Sequence, residues 1–340
     1  MKMEGLKHFH STVNCSSKMG PCCYWNSISI ILQYYSMEQL IIPFLHLSYA
    51  YNTRLDNAFI TEKITEQNSW TSQYFYINSS HQTHTSRLLT EGHPVCMNIE
   101  LYPMSFHLPI YPRVNQLHHL IVVGADEENA NVIDRHFNFA GNIKRDLLFN
   151  PALQSGLNNI GDTIHWVSPN ALSYKQDLKT KIEPALIKAF LHHVDAYLSG
   201  RAVWNKIEYQ TGLPALQSLH DDLPTTLEYY FDSYQYQYAL DQFLHRLNNS
   251  FTDQREGLLT CIPFFDGKIA DVLRNRLIYY VSCSLRELKK LNYIAILGKQ
   301  SGESLSEITE KMKRKISEVQ ELEAKVEHEL YTMTKALGGN

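Results

Sequence analysis

The chain has 340 residues, a length that suits about two domains of ordinary size. Apolar residues make up 44% of it and charged residues 19%, which is typical of a compact globular protein and excludes a disordered one. The net charge of −4 provides no basic field for nucleic acid or for an anionic membrane surface. Small molecules or other proteins are therefore the expected partners.

The N-terminal sequence and the cysteines together indicate a reducing compartment. Residues 1–15 lack the apolar segment of a signal peptide, and no run approaches the roughly 20 apolar residues of a membrane span. The six cysteines include no CxxC pair and do not resemble a disulfide framework, so we expect a cytoplasmic protein with free thiols. The 16 histidines show no metal-ligand spacing, and neither a metal nor a bound cofactor is expected.

The first predicted element is a helix that begins near Cys23. Four residues recur on one face of it: Ile28, Ile31, Leu32 and Tyr35. The macrodipole and the unpaired N–H groups of a helix N-terminus stabilise negative charge on sulfur and later on a tetrahedral oxyanion. A cysteine at this position is therefore a candidate nucleophile.

Three short runs with the composition of β-strands follow, over residues 94–101, 119–123 and 131–134. The turn that begins at Gly124 joins the last two, which predicts an antiparallel hairpin. The first domain, residues 1–171, is thus predicted to be a helix packed on a small antiparallel sheet.

From residue 172 to residue 340 the pattern changes to long amphipathic stretches, which predict a second, all-helical domain. The last helix begins with a capping box formed by Ser304 and Glu307 and carries an apolar stripe about 50 Å long. Either an intramolecular bundle or a homodimer through this C-terminal helix could cover the stripe. The bundle is favoured because earlier segments supply matching apolar faces.

The base for a cysteine nucleophile must come from elsewhere in the chain. A His that opens a strand, followed by a turn and an acceptor on the paired strand, can offer one ring nitrogen to sulfur and the other to the acceptor. The segment from His118 to Asp134 has this layout. The candidate catalytic residues are therefore Cys23, His118 and Asp134.

This spacing resembles that of papain-like cysteine peptidases, in which a Gly follows the catalytic His by six residues and an Asn or Asp follows it by sixteen. His118, Gly124 and Asp134 fit both offsets, whereas His119 misses both by one. Because strand side chains alternate between faces, the ring of His119 is expected to point the other way. We assign it to packing or to the surface, with Cys15, Cys96, Cys261 and Cys283.

The nucleophile segment resembles the butirosin biosynthesis acyltransferase family, in which a Cys opens a helix that ends in a Tyr-Tyr-Gly signal. The spacing between Cys23 and the sequence Tyr34-Tyr35-Ser36 matches this pattern, whereas the spacing from Cys22 is one residue too long. Further similar segments carry the resemblance over most of the chain: residues 91–95, 99–102, 108–111 and 212–216.

The chain departs from this pattern at three positions. Cys22 replaces the usual His before the nucleophile, and Ser36 replaces the Gly after the tyrosine pair. Ser17 stands where papain-like enzymes have a Gln as oxyanion donor, six residues before the nucleophile. Ser17 itself, Asn14 or backbone N–H groups alone are the candidates for that role.

The resemblance implies an α+β protein, with a papain-like domain followed by a helical domain that closes over or caps the active site. It also implies a cysteine acyltransferase of antibiotic or secondary-metabolite biosynthesis. The acyl group would come from the phosphopantetheine thioester of an acyl or peptidyl carrier protein and pass through Cys23 to a small amine.

Two alternatives stay open from the residues alone. Release of the acyl group to water would make the protein a cysteine peptidase or a thioesterase. A non-catalytic scaffold would place Cys23 and His118 too far apart to interact, since a Cys early in a buried helix is more often a small core residue.

Overall fold

The computed structural model describes most of the chain. The residues described are 23–37, 42, 47, 49–52, 55, 75–78, 82–100, 104, 117–135, 137–149, 164–167, 175–204, 206–233 and 236–338. They form a mixed α+β structure, as the sequence predicts, with an antiparallel sheet and a large helical part. Among the helices described, none combines the length and apolar character that a membrane crossing requires.

The chain divides into two compact units. One contains Met1–Ile41 and Gln67–Ile182, and the other contains Ile42–Glu66 and Glu183–Asn340. The predicted division between residues 171 and 172 does not coincide with this one, because a single helix runs from residue 175 to residue 198. Residues 42–66 group with the C-terminal unit, which was not predicted.

The described residues of the N-terminal unit include three helices and six strands that lie wholly within it. Its helices are α1 (Cys23–Tyr34), α2 (Gln82–Thr90) and α3 (Asp146–Phe149). Its strands are β1 (Phe75–Asn78), β2 (Val95–Glu100), β3 (Leu117–Ala125), β4 (Asn129–Asp134), β5 (Phe139–Lys144) and β6 (Ile164–Val167). They form one sheet in the order β1-β6-β2-β3-β4-β5, and every neighbouring pair is antiparallel.

The predicted hairpin is confirmed as β3 and β4. The side chain of Asp126 accepts hydrogen bonds from the backbone N–H groups of Glu128 and Asn129, at 2.9 and 2.7 Å, and so closes the turn. The register shifts between Val122 and Gly124, where the pairing of the two strands is irregular. The hairpin fixes which residues of β4 lie beside the first residues of β3.

The two faces of the sheet have different neighbours. One face belongs to a core that α2 and α3 join, with these buried members: Leu88, Val95, Met97, Ile99, Met104, Leu120, Val122, Ala130, Val132, Ile143 and Leu148. Helix α1 packs on β3 and β2. It is anchored there by Ser27, whose hydroxyl donates to the backbone carbonyl of His119 at 3.3 Å. The alternation of strand residues therefore decides which side chains meet α1.

Helix α4 (Lys175–Leu198) crosses the division at residue 182, and most of its residues belong to the C-terminal unit. A hairpin of β7 (Arg201–Trp204) and β8 (Ile207–Gln210) follows. The remaining elements are α5 (Gly212–Ser233), α6 (Tyr236–Leu247), a π-helix (Asn248–Thr252), α7 (Asp253–Cys261), a 3-10 helix (Ile262–Phe265), α8 (Asp271–Gln300) and α9 (Leu305–Ala336).

Helix α9 confirms the predicted capping box. The Ser304 hydroxyl accepts from the N–H of Glu307, and the Glu307 carboxylate accepts from the N–H of Ser304. The helix packs against α8 and α5 of the same chain. The buried apolar residues of its stripe are Ile308, Met312, Ile316, Val319, Val326, Leu330 and Met333. The stripe therefore needs no second protomer to cover it.

An ion pair lies inside the C-terminal unit, between Arg255 of α7 and Glu323 of α9. Both side chains have no exposed surface, and Nε lies 3.0 Å from Oε1. Glu323 also accepts hydrogen bonds from the hydroxyls of Tyr49 and Tyr197, at 2.6 and 2.7 Å, and from Ser284. Four side chains from distant parts of the sequence thus meet at one carboxylate.

Candidate active site

Cys23 is the first residue of α1, as the sequence predicts, and its side chain is half-buried. The three apolar residues Ile28, Ile31 and Leu32 are fully buried and hold the helix in the N-terminal unit. The thiol therefore lies beside the unpaired N–H groups of a helix start, which stabilise negative charge.

His118 and Asp134 form a buried pair on one face of the sheet. His118 is the second residue of β3 and Asp134 the last of β4, and their side chains are only 2% and 1% exposed. Nε2 of His118 lies 2.7 Å from Oδ2 of Asp134. The backbone N–H of Phe137 donates to the other carboxylate oxygen at 3.2 Å, so the carboxylate is held in place from two sides.

The imidazole of His118 controls the charge of the Cys23 thiol. Burial raises the pKa of Cys23, but the charge of His118 and hydrogen bonds to His118 and His119 outweigh it and bring the pKa well below its usual value. Burial lowers the pKa of His118, yet the Cys23 charge and the Asp134 hydrogen bond raise it to about 10. Both shifts favour the ion pair of a Cys23 thiolate and a His118 imidazolium.

Because Nε2 of His118 is bonded to Asp134, Nδ1 is the ring nitrogen left for the sulfur. This is the division of roles that the sequence layout predicts for a base between a nucleophile and an orienting acceptor. The three predicted residues Cys23, His118 and Asp134 thus interact in a line, and the scaffold alternative, which requires Cys23 and His118 to be far apart, is not favoured by this geometry.

His119 corrects the expectation that only one of the two adjacent histidines reaches the sulfur. Its Nδ1 lies 3.5 Å from Sγ of Cys23, and its ring is half-buried. The strand does turn the rings of His118 and His119 to opposite faces, but α1 begins where both can interact with its first residue. Assignment of His119 to packing or to the surface was therefore wrong.

Arg135 is a second residue that the sequence analysis missed. It follows β4, is 4% exposed, and donates from Nη1 to the Ser29 hydroxyl at 3.1 Å and from Nη2 to the Gln33 side chain at 3.4 Å. These bonds join the end of β4 to the middle of α1. Arg135 thus fixes the strand that carries Asp134 relative to the helix that carries Cys23.

The far end of α1 is held by His93. The Tyr35 hydroxyl and Nδ1 of His93 are 2.7 Å apart, and the Tyr34 hydroxyl donates to the Gly92 carbonyl at 3.2 Å. Burial lowers the pKa of His93, so its ring is neutral at pH 7 and Nδ1 can accept from the hydroxyl. His93 therefore has a structural role away from the sulfur.

Other predicted residues have mixed outcomes. The oxyanion candidates Ser17 and Asn14, as well as Cys15 and Cys22, lie outside the described residues. Two of the cysteines assigned to packing, Cys96 and Cys261, are fully buried, and Cys283 is half-buried. Within the described ranges, no three His, Cys, Asp or Glu side chains are grouped as metal ligands.

A cavity of about 860 Å³ lies in the C-terminal unit, between α4 and α9. Lys188, His192, Glu327 and His328 are among the residues that line it. None of its lining residues belongs to the Cys23 site, so the cavity carries no part of the chemistry described above.

Comparison with known proteins adds no name to this site. No protein-family model matches the chain, and no curated protein is significantly similar to it. The chemical interpretation therefore rests on the geometry of Cys23, His118, His119 and Asp134, and on the motif resemblance stated above.

Proposed function

We propose that the protein is a cysteine-dependent acyltransferase with a papain-like catalytic domain, which forms an amide through an acyl-Cys23 intermediate. The donor is a thioester on the phosphopantetheine of an acyl or peptidyl carrier protein, and the acceptor is a small amine. The observation that carries the proposal is the position of Cys23 at the start of α1, where it interacts with His118, whose imidazole is bonded to Asp134.

The first half-reaction loads Cys23. The thiolate attacks the thioester carbonyl, and N–H groups at the start of α1 stabilise the oxyanion of the tetrahedral intermediate. The bond to the pantetheine sulfur breaks, and the His118 imidazolium gives its proton to the departing thiolate. Acyl-Cys23, a neutral His118 and a free pantetheine thiol remain.

The second half-reaction releases the product. The amine nitrogen attacks the acyl carbonyl, and neutral His118 accepts the proton that the nitrogen loses as the C–N bond forms. The C–S bond then breaks, so Cys23 leaves as a thiolate beside the new imidazolium. The ion pair that began the cycle is restored, and an amide is released.

A thioester donor fits a cysteine because exchange between two thiols costs little free energy, and the pantetheine thiol leaves readily. The amine acceptor comes from the resemblance to the butirosin-type family and to the related enzyme of closthioamide assembly, which acylates a diamine. We place the reaction in secondary-metabolite biosynthesis in the cytoplasm, where a free thiol stays reduced.

The test is intact mass spectrometry after incubation with hexanoyl-pantetheine. We expect one hexanoyl group on the wild type and on Cys283→Ala, and none on Cys23→Ala. Addition of 1,3-diaminopropane should discharge the adduct as an amide. His118→Ala should slow loading by about 10²- to 10⁴-fold, the range of general acid–base catalysis.

Two results would contradict the proposal. An adduct that persists in Cys23→Ala but disappears in Cys22→Ala would place the nucleophile one residue earlier. An adduct that is lost to water at the same rate with and without the diamine, with no amide formed, would make the protein a thioesterase.

A further inference from the structure

The pairing of β2 with β3 brings a second polar residue to the sulfur side of the sheet. Asn98 lies directly opposite His119 in the antiparallel register. Side chains at directly opposed positions lie on the same face, with Cβ atoms about 4.5–5.5 Å apart. Asn98 therefore stands beside the imidazole whose Nδ1 is 3.5 Å from Cys23 Sγ.

The oxygen of the Asn98 side chain is buried, and no described residue donates a hydrogen bond to it. An unsatisfied buried acceptor costs about 1–3 kcal/mol, and an N–H donor from a ligand removes that cost. The opposed pair thus offers a hydrogen-bond acceptor from Asn98 beside the His119 ring, and this ring contacts the reacting sulfur.

The protons of an amine acceptor explain why a second imidazole is needed. An alkylamine, with a pKa near 10.4 like that of lysine, is almost wholly an ammonium ion at neutral pH. It must lose one proton before it can attack and a second one as the C–N bond forms. His118 takes the second proton, so the first requires another acceptor. A water molecule would lose only one proton in the same step.

We propose that His119 and Asn98 form the acceptor site for a primary alkylammonium ion, in which Asn98 Oδ1 accepts an N–H and the His119 ring takes the first proton. This inference rests on the acyl transfer proposed above. It names the substrate class of the second half-reaction and makes His119 a catalytic residue.

Protons and bonds balance over the transfer step. The ammonium gives one proton to His119 and becomes a free amine, which attacks the carbonyl of acyl-Cys23. As the C–N bond forms and the C–S bond breaks, the second proton passes to His118 and Cys23 leaves as a thiolate. His119 is half-buried, so its proton then returns to solvent.

Cys23 at the start of α1 interacts with both His119 and the neighbouring His118, and His118 is bonded to Asp134 at the end of β4. The Arg135 guanidinium donates to Ser29 and Gln33 of α1. The Cys23 thiol lies within hydrogen-bond distance of the His119 ring, at 3.5 Å.

The experiment measures transfer from pre-formed hexanoyl-Cys23 enzyme in a single turnover, which separates it from loading. Two acceptors are compared at pH 7: 1-aminopropane, with a pKa near that of lysine, and glycinamide, whose α-amino group titrates near 8. We expect His119→Gln to slow transfer to 1-aminopropane by about 10²-fold and to glycinamide by less than about tenfold. His93→Gln is the matched histidine control and should change neither rate.

The pH profile supplies a readout that a structural role would not change. In His119→Gln the amine must arrive as free base, so the rate with 1-aminopropane should rise about tenfold per pH unit from pH 7 to pH 9. The wild-type rate should be flatter. Asn98→Ala should raise the KM for the amine with little change in kcat, and Asn98→Asp, which keeps an oxygen acceptor, should restore the KM.

Each outcome decides between the proposals. If the wild type makes the amide but His119→Gln slows both acceptors equally, with a wild-type pH profile, the inference about His119 is overturned and the acyl transfer stands. If the wild type forms no hexanoyl adduct, the proposed function is overturned and the acceptor site with it.

Discussion

At the scale of single residues, the proposed chemistry depends on a proton held by His118 rather than by Cys23. The buried imidazole is bonded to Asp134 on one side and interacts with the sulfur on the other. Because the pKa of the Cys23 thiol lies well below its usual value, the thiolate is favoured over a wider pH range than for an ordinary cysteine. The reactivity of Cys23 should therefore depend little on pH between 6 and 8.

We predict that iodoacetamide labels Cys23 at nearly the same rate at pH 6 and at pH 8. An ordinary thiol, with a pKa near 8.5, reacts about a hundred times faster over those two units. His118→Ala removes the main cation, so the Cys23 pKa rises and the labelling rate should become steeply pH-dependent. Peptide mapping after brief labelling measures this.

Cys283 provides the internal comparison, since it is the other half-buried thiol among the described residues. At each pH its labelling rate should be the same in the wild type and in His118→Ala. Slow labelling of Cys23 at pH 6 in the wild type would show that no activated thiolate is present.

The residues of the candidate site were accessible to sequence reasoning where spacing alone decides the outcome. The position of Cys23 at the start of α1 follows from the spacing of apolar residues along that one helix. The position of Asp134 beside His118 follows from the spacing along one hairpin. His119 was missed because alternation tells which sheet face a ring occupies, but not where a helix that packs on that face begins. Arg135 was missed for the same reason.

At the scale of elements, α1 ends in a strained turn. The N–H of Met37 bonds to the Leu32 carbonyl at 2.8 Å and that of Ser36 to the Gln33 carbonyl at 2.9 Å, which is a Schellman motif. Ser36 has φ of +55°, in the left-handed region that glycine prefers. A residue with a Cβ in this conformation carries a conformational cost.

We predict that Ser36→Gly stabilises the N-terminal unit by about 1 kcal/mol. The left-handed conformation costs a residue with a Cβ about 1–2 kcal/mol, and the greater freedom of glycine in the unfolded chain offsets part of the gain. Ser36 is exposed, so no packing is lost. Calorimetric unfolding measures the change.

Gly92 is the matched control, because it occupies the same position in the Schellman motif after α2, with φ of +86° and open space where a Cβ would lie. Gly92→Ser should destabilise the unit by a similar amount. If both substitutions moved the melting temperature in the same direction, backbone strain at Ser36 would not be the cause.

Several strands were not predicted because few of their side chains are buried. The residues of β5 alternate between half-buried and exposed, and only Ile143 is buried. In β7 and β8 only Tyr209 is buried. A strand with few buried side chains has no apolar alternation to detect, whereas β3 and β4 carry buried residues along most of their length.

At the scale of the whole molecule, the Glu323 cluster joins parts of the chain that are far apart in sequence. Arg255 stacks over the rings of Tyr49 and Tyr197, at 4.1 and 4.8 Å, and donates to the Leu47 carbonyl at 3.1 Å. Burial and the Glu323 charge raise the pKa of Tyr197 well above its usual value, so its hydroxyl stays protonated and donates.

We predict that Glu323→Leu destabilises the C-terminal unit by about 3–5 kcal/mol, because it leaves Arg255 charged, buried and unpaired. The double variant Arg255→Met/Glu323→Leu should recover much of the loss, since no buried charge remains. Denaturant unfolding of the single and double variants measures this coupling.

The exposed pair of Lys311 and Glu303 is the comparison within the same unit. The two charged atoms are 2.6 Å apart, but the Lys311 side chain is 45% exposed. Lys311→Ala should change stability by no more than about 1 kcal/mol. An equal loss in Lys311→Ala and Glu323→Leu would contradict the role assigned to burial.

The grouping of residues 42–66 with the C-terminal unit has a consequence for how the protein is made on the ribosome. Tyr49 is synthesised early, yet its hydroxyl donates to Glu323, which follows 274 residues later. Tyr51 likewise waits for Gln210, with which it exchanges two backbone hydrogen bonds of 2.9 Å. The nascent chain can therefore pair Tyr51 once β8 has left the exit tunnel, whereas Tyr49 lacks its carboxylate partner until α9 has followed. A ribosome that stalls before α9 would leave Tyr49 without this partner and accessible to chaperones and proteases.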